Sequence, residues 1–348
     1  MIRDTQGPRF TNSSIGPKAA DTTVDSAPNP IRDVDTLFDA LALPDDGRRA
    51  AARTAASAFG LRVPRHYLQQ INPGDINDPL LRQIMPLSAE TTDPAGEVDA
   101  VGDRDASLGN GVLHKYHGRV LLVTTGACAV HCRYCFRRHF DYAEDHSGGS
   151  NEARALKAIS SDETIKEVIL SGGDPLSLSN ARLKRLVHQI QAIEHVETLR
   201  LHSRTPVVEP SRLDDALLEI LAASSLRVVL VIHANHPREL SPQVLKRMRA
   251  AATSNITLLN QSVLLNGVND KVETLKWLSE RLFEAHVLPY YLHLLDPVPG
   301  TLHFEVNTRT ATQLIEALAV QLPGYLVPKL AKETAGAQTK FTYANYVR

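Results

Sequence analysis

"GRVLLVTTGACAVHCRYCFRRHF", residues 118–140, runs from an apolar stretch straight into every cysteine of the chain, Cys128, Cys132 and Cys135, and then into Arg137 and Arg138. Its first part, "RVLLVTT" at 119–125, has the length of a strand, and its continuous Val and Leu suit a strand buried on both faces of a parallel sheet. Five runs of the same texture follow: "EVILSGG" (167–173), "TLRLHSR" (198–204), "RVVLVIHANH" (227–236), "ITLLNQSVLL" (256–265) and "HVLPYYLHLLD" (286–296). Helical periods separate them, as in "ETLKWLSERLFEA", where Leu275, Leu278 and Leu282 recur at three and four residues. Six strand-then-helix repeats predict an α/β fold, a parallel β/α sheet curved into a partial, six-stranded TIM-like barrel. Chemistry in such barrels sits at the C-terminal ends of the strands. The runs end there in polar residues: Gly-Ala-Cys, Gly-Gly-Asp, His-Ser-Arg, His-Ala-Asn-His and Asp296.

The rest of the chain divides around this core. Residues 1–30 are polar, rich in Pro, Ser and Thr and without hydrophobic period, which predicts a disordered tail. Residues 31–110 read as a helical and loop N-terminal region, helical from Asp35 to about Leu68 with Gly60 as a stop, then broken by Pro73, Pro79, Pro86 and Pro94. Residues 111–300 form the expected barrel core, and 301–348 a C-terminal helix and cofactor segment. With 348 residues, 43% of them hydrophobic, the chain can bury a large core. It lacks an apolar run near the roughly 20 residues of a membrane span and the build of a secretory signal, so a cytoplasmic location is expected. A formal net charge of −1 argues against nucleic acid or a membrane as the main partner.

Three clustered thiols in a reducing compartment point to metal rather than to disulfides. Three thiolates can hold three irons of a cubane cluster and leave the fourth open to a small chelating molecule. Zinc is the competitor, with His131 or His139 completing the ligand set; ordinary buried cysteines are the third reading. "SGGDPL" at 171–176 puts Gly172 and Gly173 where backbone can approach a ligand, with Asp174 to orient it, although Gly-Gly-Asp-Pro also makes an ordinary turn.

CxxxCxxC directly after the first barrel strand, with the glycine motif after the second, resembles the radical S-adenosylmethionine enzymes. The stretches "GVLHKYHGRVLLVTTGACAVHCRYCFRRHF", "HSRTPVV", "NQSVLL", "YYLHLLD" and "GYLVPKLA" are similar to the lysine 2,3-aminomutases, from about residue 35 to the end. Within that family the chain looks most like the short branch that makes β-lysine for modification of elongation factor P. The resemblance implies a barrel of radical S-adenosylmethionine type, a [4Fe-4S] cluster on Cys128, Cys132 and Cys135, S-adenosylmethionine contacting Gly172, Gly173 and Asp174, and pyridoxal 5'-phosphate held covalently on Lys340. Lys329 and Lys332 are the alternative lysines. It further implies Lys115 and Arg119 near the cofactor phosphate, Gln261 as a polar cofactor contact, Arg137 on the substrate carboxylate, and Asp296 with Glu333 on the distant ammonium of lysine. Two bland readings stand beside these: one of Arg137 and Arg138 facing solvent, and Asp296 before Pro297 as a turn residue. The partners implied are lysine, an electron donor such as flavodoxin or ferredoxin, and functionally an elongation factor P ligase and elongation factor P. A catabolic lysine 2,3-aminomutase and a zinc-stapled binding module are the alternatives.

Overall fold

The computed structural model describes residues 29–140, 142, 146, 147, 149 and 151–343. The tail expected over residues 1–30 lies almost wholly outside the described residues. Nine strands form one sheet in chain order: β1 (Val112–Tyr116), β2 (Arg119–Thr125), β3 (Glu167–Gly172), β4 (Thr198–Ser203), β5 (Arg227–Ile232), β6 (Thr257–Val263), β7 (Leu288–His293), β8 (Lys329–Lys332) and β9 (Phe341–Thr342). Strands β2 to β8 run parallel, while β1 and β9 lie antiparallel on the two ends.

The six expected strands are β2 to β7. Three more join them. β1 ("VLHKY"), β8 ("KLAK") and the two-residue β9 are too short and too polar to register as apolar runs. The segment after residue 300 is therefore more than an appendage, since β8 extends the parallel sheet at β7.

Alternation along the strands divides the sheet into an apolar and a largely polar face. Val120 and Leu122, Val168 and Leu170, Leu199 and Leu201, and Val228, Leu230 and Ile232 pack with the helices in the main core. The opposite face carries Glu167, Arg200, His202, His233, Gln261, Tyr291 and His293. Arg200 Nη2 meets Glu167 Oε2 at 2.6 Å, and Gln261 Nε2 lies 2.9 Å from His233 Nε2. Val123, Ile169 and Val231 are buried on this second face too, as the apolar runs predict, and single polar residues stand among them.

Helices return the chain between strands, and polar caps start them. Ser179, Asp214, Ser241 and Asn307 each accept a bond from a first-turn amide of the following helix, at Arg182, Leu217, Val244 and Thr310. None of the helices among the described residues is long and apolar enough to cross a membrane. The N-terminal helices build a second core around Leu37, Phe38, Tyr67, Leu80 and Ile84, which reaches the cysteine loop through Ala129 and Val130.

The glycine pair after β3 sets how closely that loop lies on the barrel. Gly173 N donates to Thr125 O at 2.7 Å and Asp174 N to Ala127 O at 2.8 Å. Gly172 has φ +110°, and a Cβ there would lie 2.8 Å from Val123 Cγ1; a Cβ on Gly173 would run into the Ala127 carbonyl. Gly173→Ala is expected to push the cysteine loop outward, lower stability by about 1–3 kcal/mol as over-packing does, and reduce iron uptake. Thermal unfolding and iron content after anaerobic reconstitution check this.

Candidate active site

The cysteine loop leaves β2 at Thr125 and tightens at Cys135 N to Cys132 O, 3.1 Å. All three thiols are free and half-buried. Burial raises their pKa values, Cys135 to about 11 with Cys132 adding to the effect, so a metal is needed to hold them as thiolates at neutral pH. The two histidines that would complete a zinc site are engaged elsewhere: His131 stacks on Phe59 with its Nδ1 2.8 Å from Gly60 O, and His139 Nε2 lies 3.1 Å from Pro299 O. Among the described residues no three His, Cys, Asp or Glu side chains gather around a single ion. A cubane does not ask for such a set, because each thiolate binds its own iron. Three thiols without a fourth protein ligand among the described residues fit the cluster better than structural zinc.

The arginines around the cysteines have separate tasks. Arg133, fully buried, donates to Glu90 and to Phe59 O, and Arg138 reaches the same carboxylate at 2.8 Å and Gly300 O at 3.1 Å. Both guanidinium groups lie over the Phe59 ring, at 4.7 and 4.5 Å. Neither Arg137 nor Arg138 faces solvent, contrary to the reading that one of them does. Arg138 clamps the loop to the N-terminal helices, while Arg137 turns toward the barrel.

There Arg137 begins a chain of alternating charge. Its Nε is 2.8 Å from Asp103 Oδ2, and its Nη1 donates to Ser171 Oγ at 3.2 Å. The other oxygen of Asp103 is 2.6 Å from Lys115 Nζ, which lies 3.1 Å from Glu333 Oε1 and donates to Val101 O at 2.7 Å. Glu333 Oε2 pairs with Lys340. That last contact follows from register: Ala331 faces Thr342 and Lys332 faces Phe341, so Glu333 and Lys340 come next across the hairpin, which turns through Gly336 at φ +73°. Lys329 and Lys332 are exposed.

Electrostatics match this geometry. Burial would raise the Asp103 carboxyl, but Arg137 and Lys115 hold it at about 2. Glu333, likewise buried, is held at about 2 by Lys340 and Lys115. Asp296, at the end of β7, is pushed up to about 7 by burial and by Glu333, against the pull of Lys340 and Lys115. It also serves the turn, its carbonyl accepting from Val298 N at 2.9 Å. Deeper in the barrel, burial depresses His202, and His233 and His293 to about 3, so all three stay neutral. His202 Nε2 is buried without a hydrogen-bond partner.

The remaining expected residues are more dispersed. Gln261 joins the inner face through His233. Arg119 sits at the start of β2 with its guanidinium 4.7 Å from the centre of the Tyr116 ring. Asp174 accepts from Leu176 N, Ser203 Oγ, Arg204 N and Thr205 N, so its carboxylate ties the loops after β3 and β4 together. Sequence reading misses Asp103, which lies in a stretch that shows only as broken loop, and Glu90. No local spacing connects either to its arginine partners.

Residues 122–278 match the family model described as the Radical SAM superfamily. The L-lysine 2,3-aminomutase of Escherichia coli (strain K12) is 43% identical over 310 residues, 89% of this chain and 91% of that protein. The L-lysine 2,3-aminomutase of Haemophilus influenzae is 43% identical over 317 residues, 91% of this chain and 94% of that protein. The Clostridium subterminale protein of the same name is 33% identical over 322 residues, 92% of this chain and 77% of its own length.

Two outcomes follow from the charges. Asp103→Asn leaves two buried cations short of a partner and is expected to lower unfolding stability by about 3–5 kcal/mol, measured by urea denaturation. Asp296 has a raised pKa, so its protonated form stabilises the fold below the ordinary carboxyl pKa and that contribution is lost as pH rises through about 7. Asp296→Asn should therefore gain Tm over the cofactor-free parent progressively between about pH 4 and about pH 7 and no further above that; a pH-independent difference would contradict this.

Proposed function

The chain belongs to the L-lysine 2,3-aminomutase family of radical S-adenosylmethionine isomerases, and from that membership we propose that it converts lysine to β-lysine, with a [4Fe-4S] cluster on Cys128, Cys132 and Cys135, S-adenosylmethionine, and pyridoxal phosphate on Lys340. The observation that carries the reading is the order of charges around one site. A guanidinium, Arg137, stands at one end of the ion chain and a carboxylate, Glu333, near the other, with Asp296 close enough to shift with it. An α-amino acid with a distant ammonium presents the complementary pattern.

When bound, the cluster and S-adenosylmethionine supply a carbon radical able to remove hydrogen, and pyridoxal phosphate carries the migrating amino group. The chain's own residues align and neutralise. Arg137 takes the substrate carboxylate, its guanidinium kept charged and aimed by Asp103. Lys115 offers charge to the cofactor phosphate. Glu333 and Asp296 take the terminal ammonium, which rejects side chains lacking it because a buried charge left unpaired is costly. Glycine backbone at Gly172 and Gly173 leaves room at the cysteine loop for S-adenosylmethionine. The neutral interior of His202, His233 and His293 neither competes for protons near pH 7 nor adds a cation beside Lys340.

At the finer level, the resemblance to the short branch supports β-lysine production for elongation factor P, handed on by a ligase, with flavodoxin or ferredoxin as reductant. The identity of 43% to the Escherichia coli and Haemophilus influenzae proteins against 33% to the Clostridium subterminale one accords with membership of a distinct branch.

Anaerobically reconstituted protein supplied with dithionite, S-adenosylmethionine, pyridoxal phosphate and lysine should form β-lysine, detected by mass spectrometry. Lys340→Ala should form none and lose the visible absorbance of lysine-bound pyridoxal phosphate. Cleavage of S-adenosylmethionine without β-lysine in the parent protein would overturn the proposal. Because the ammonium requires ionised Asp296, kcat/KM for lysine should fall as pH drops below about 7.

A further inference from the structure

Beside the cysteine loop a cavity of about 350 Å³ opens between the N-terminal helical region and the loops that follow β2, β3 and β4. Arg32, Arg62 and Arg212 line it together with His131, against one carboxylate, Glu209. Cys128 lines it as well, whereas Cys132 and Cys135 do not. The partly buried arginines are held by neutral acceptors. Arg62 Nε donates to Ala129 O at 3.1 Å, and Arg212 donates to Leu176 O, Leu178 O and Asn180 Oδ1. Among the described residues none of the three has a carboxylate within ion-pair distance, 4.0 Å. Burial and the neighbouring Arg32 together lower the pKa of Arg62, a sign of how closely the like charges are set.

A chain of net charge −1 thus carries three guanidinium groups around an opening that Cys128 also lines. Such an arrangement resists the chain's own folding and needs a purpose. Three like charges facing a single lining carboxylate, Glu209, leave an excess of positive charge that an anionic partner can neutralise. On the functional reading given above, a cluster on these cysteines must receive electrons from outside the chain.

We propose that the arginine-lined opening at Arg32, Arg62 and Arg212 is the docking face for a small acidic protein carrying one-electron reducing equivalents, and that the electron enters the cluster on the Cys128 side. The donor loses one electron and the cluster gains it; no bond forms or breaks and no proton is transferred. The arginines steer the acidic face of the donor onto the opening, an effect that salt screens. Arg32, exposed and free of structural bonds to the loops, contributes steering; Arg62, bonded to the backbone next to Cys128, fixes the docked position.

The test uses the full-length, reconstituted protein and two reductants, reduced flavodoxin and dithionite. The variants are Arg32→Ala and Arg32→Glu, both at an exposed position whose side chain makes no hydrogen bond to the cysteine loop among the described residues; the neutral one separates loss of charge from its reversal. Cluster reduction is followed by loss of visible absorbance at low and high ionic strength. Reduction by flavodoxin should slow roughly tenfold or more at low salt in the variants and lose most of its salt dependence, while reduction by dithionite and the β-lysine it supports stay at the parent level. An unchanged flavodoxin rate would overturn the proposal. So would a raised KM for S-adenosylmethionine in the dithionite assay, which would assign the arginines to that molecule's carboxylate. Failure of the functional reading is separable: the parent protein would then make no β-lysine with either reductant, while the flavodoxin comparison could still be read from the absorbance.

Discussion

Buried charges that cannot be left unpaired hold the functional end of this molecule together. Arg137, Asp103, Lys115, Glu333 and Lys340 alternate in sign and belong to four segments distant in sequence: the cysteine loop, the loop region before β1, β1 itself and the C-terminal hairpin. Asp103 is 2% exposed. At that depth a lone carboxylate or guanidinium loses several kcal/mol of hydration, so no segment can withdraw without stranding its neighbour's charge. The chain thereby gathers, from its own charges, the groups that the proposed function assigns to a carboxylate, a phosphate, an aldehyde and an ammonium. Three cations face two carboxylates in it, and ionisation of Asp296 brings the balance to neutrality against the burial and the Glu333 charge that push its pKa up to about 7.

A second ion cluster anchors the cysteine loop in the same way. Glu90 joins Arg133 and Arg138, and Phe59 lies under both guanidinium groups. Arg204 extends the anchoring: buried, it bonds Glu239 at 2.7 Å and Gln83 at 2.9 Å, linking the end of β4 to the N-terminal helices. With Gly172 and Gly173 admitting the loop backbone on the other side, the three cysteines are fixed on one side by ion pairs and on the other by close backbone contact. The N-terminal region is in this sense part of the proposed cluster site. Its arginine-lined opening at Cys128 lies where that region and the loop meet, the proposed entry for electrons.

Much of this architecture is legible in the amino-acid sequence, for specific reasons. β2 to β7 can be read there because strand length and apolar content are local properties. The cysteines stand out because thiolate chemistry needs a spacing within one loop. Lys340 and Glu333 stand out only through family resemblance, and the hairpin supplies the physical reason that residues seven apart meet. Asp103 and Glu90 leave no such trace. Each pairs with arginines more than thirty positions away, and an aspartate in a proline-broken loop carries no mark of such a partner. β1, β8 and β9 escape for a related reason, since a strand at the end of a sheet needs register with a neighbour more than it needs an apolar run. Arg119 and Asp174 show the converse: residue type and family position suggest cofactor contacts, while their observed partners are a tyrosine ring and the chain's own amides.

The most direct measurement compares lysine with 2-aminohexanoate, which has the same carbon chain without the terminal ammonium, as substrates of the reconstituted protein. If Glu333 and Asp296 form the far end of the pocket, kcat/KM should favour lysine by roughly ten-thousand-fold, as expected when buried polar groups are left without a partner. Comparable turnover of the two compounds would contradict the charge-ordered site on which the account rests.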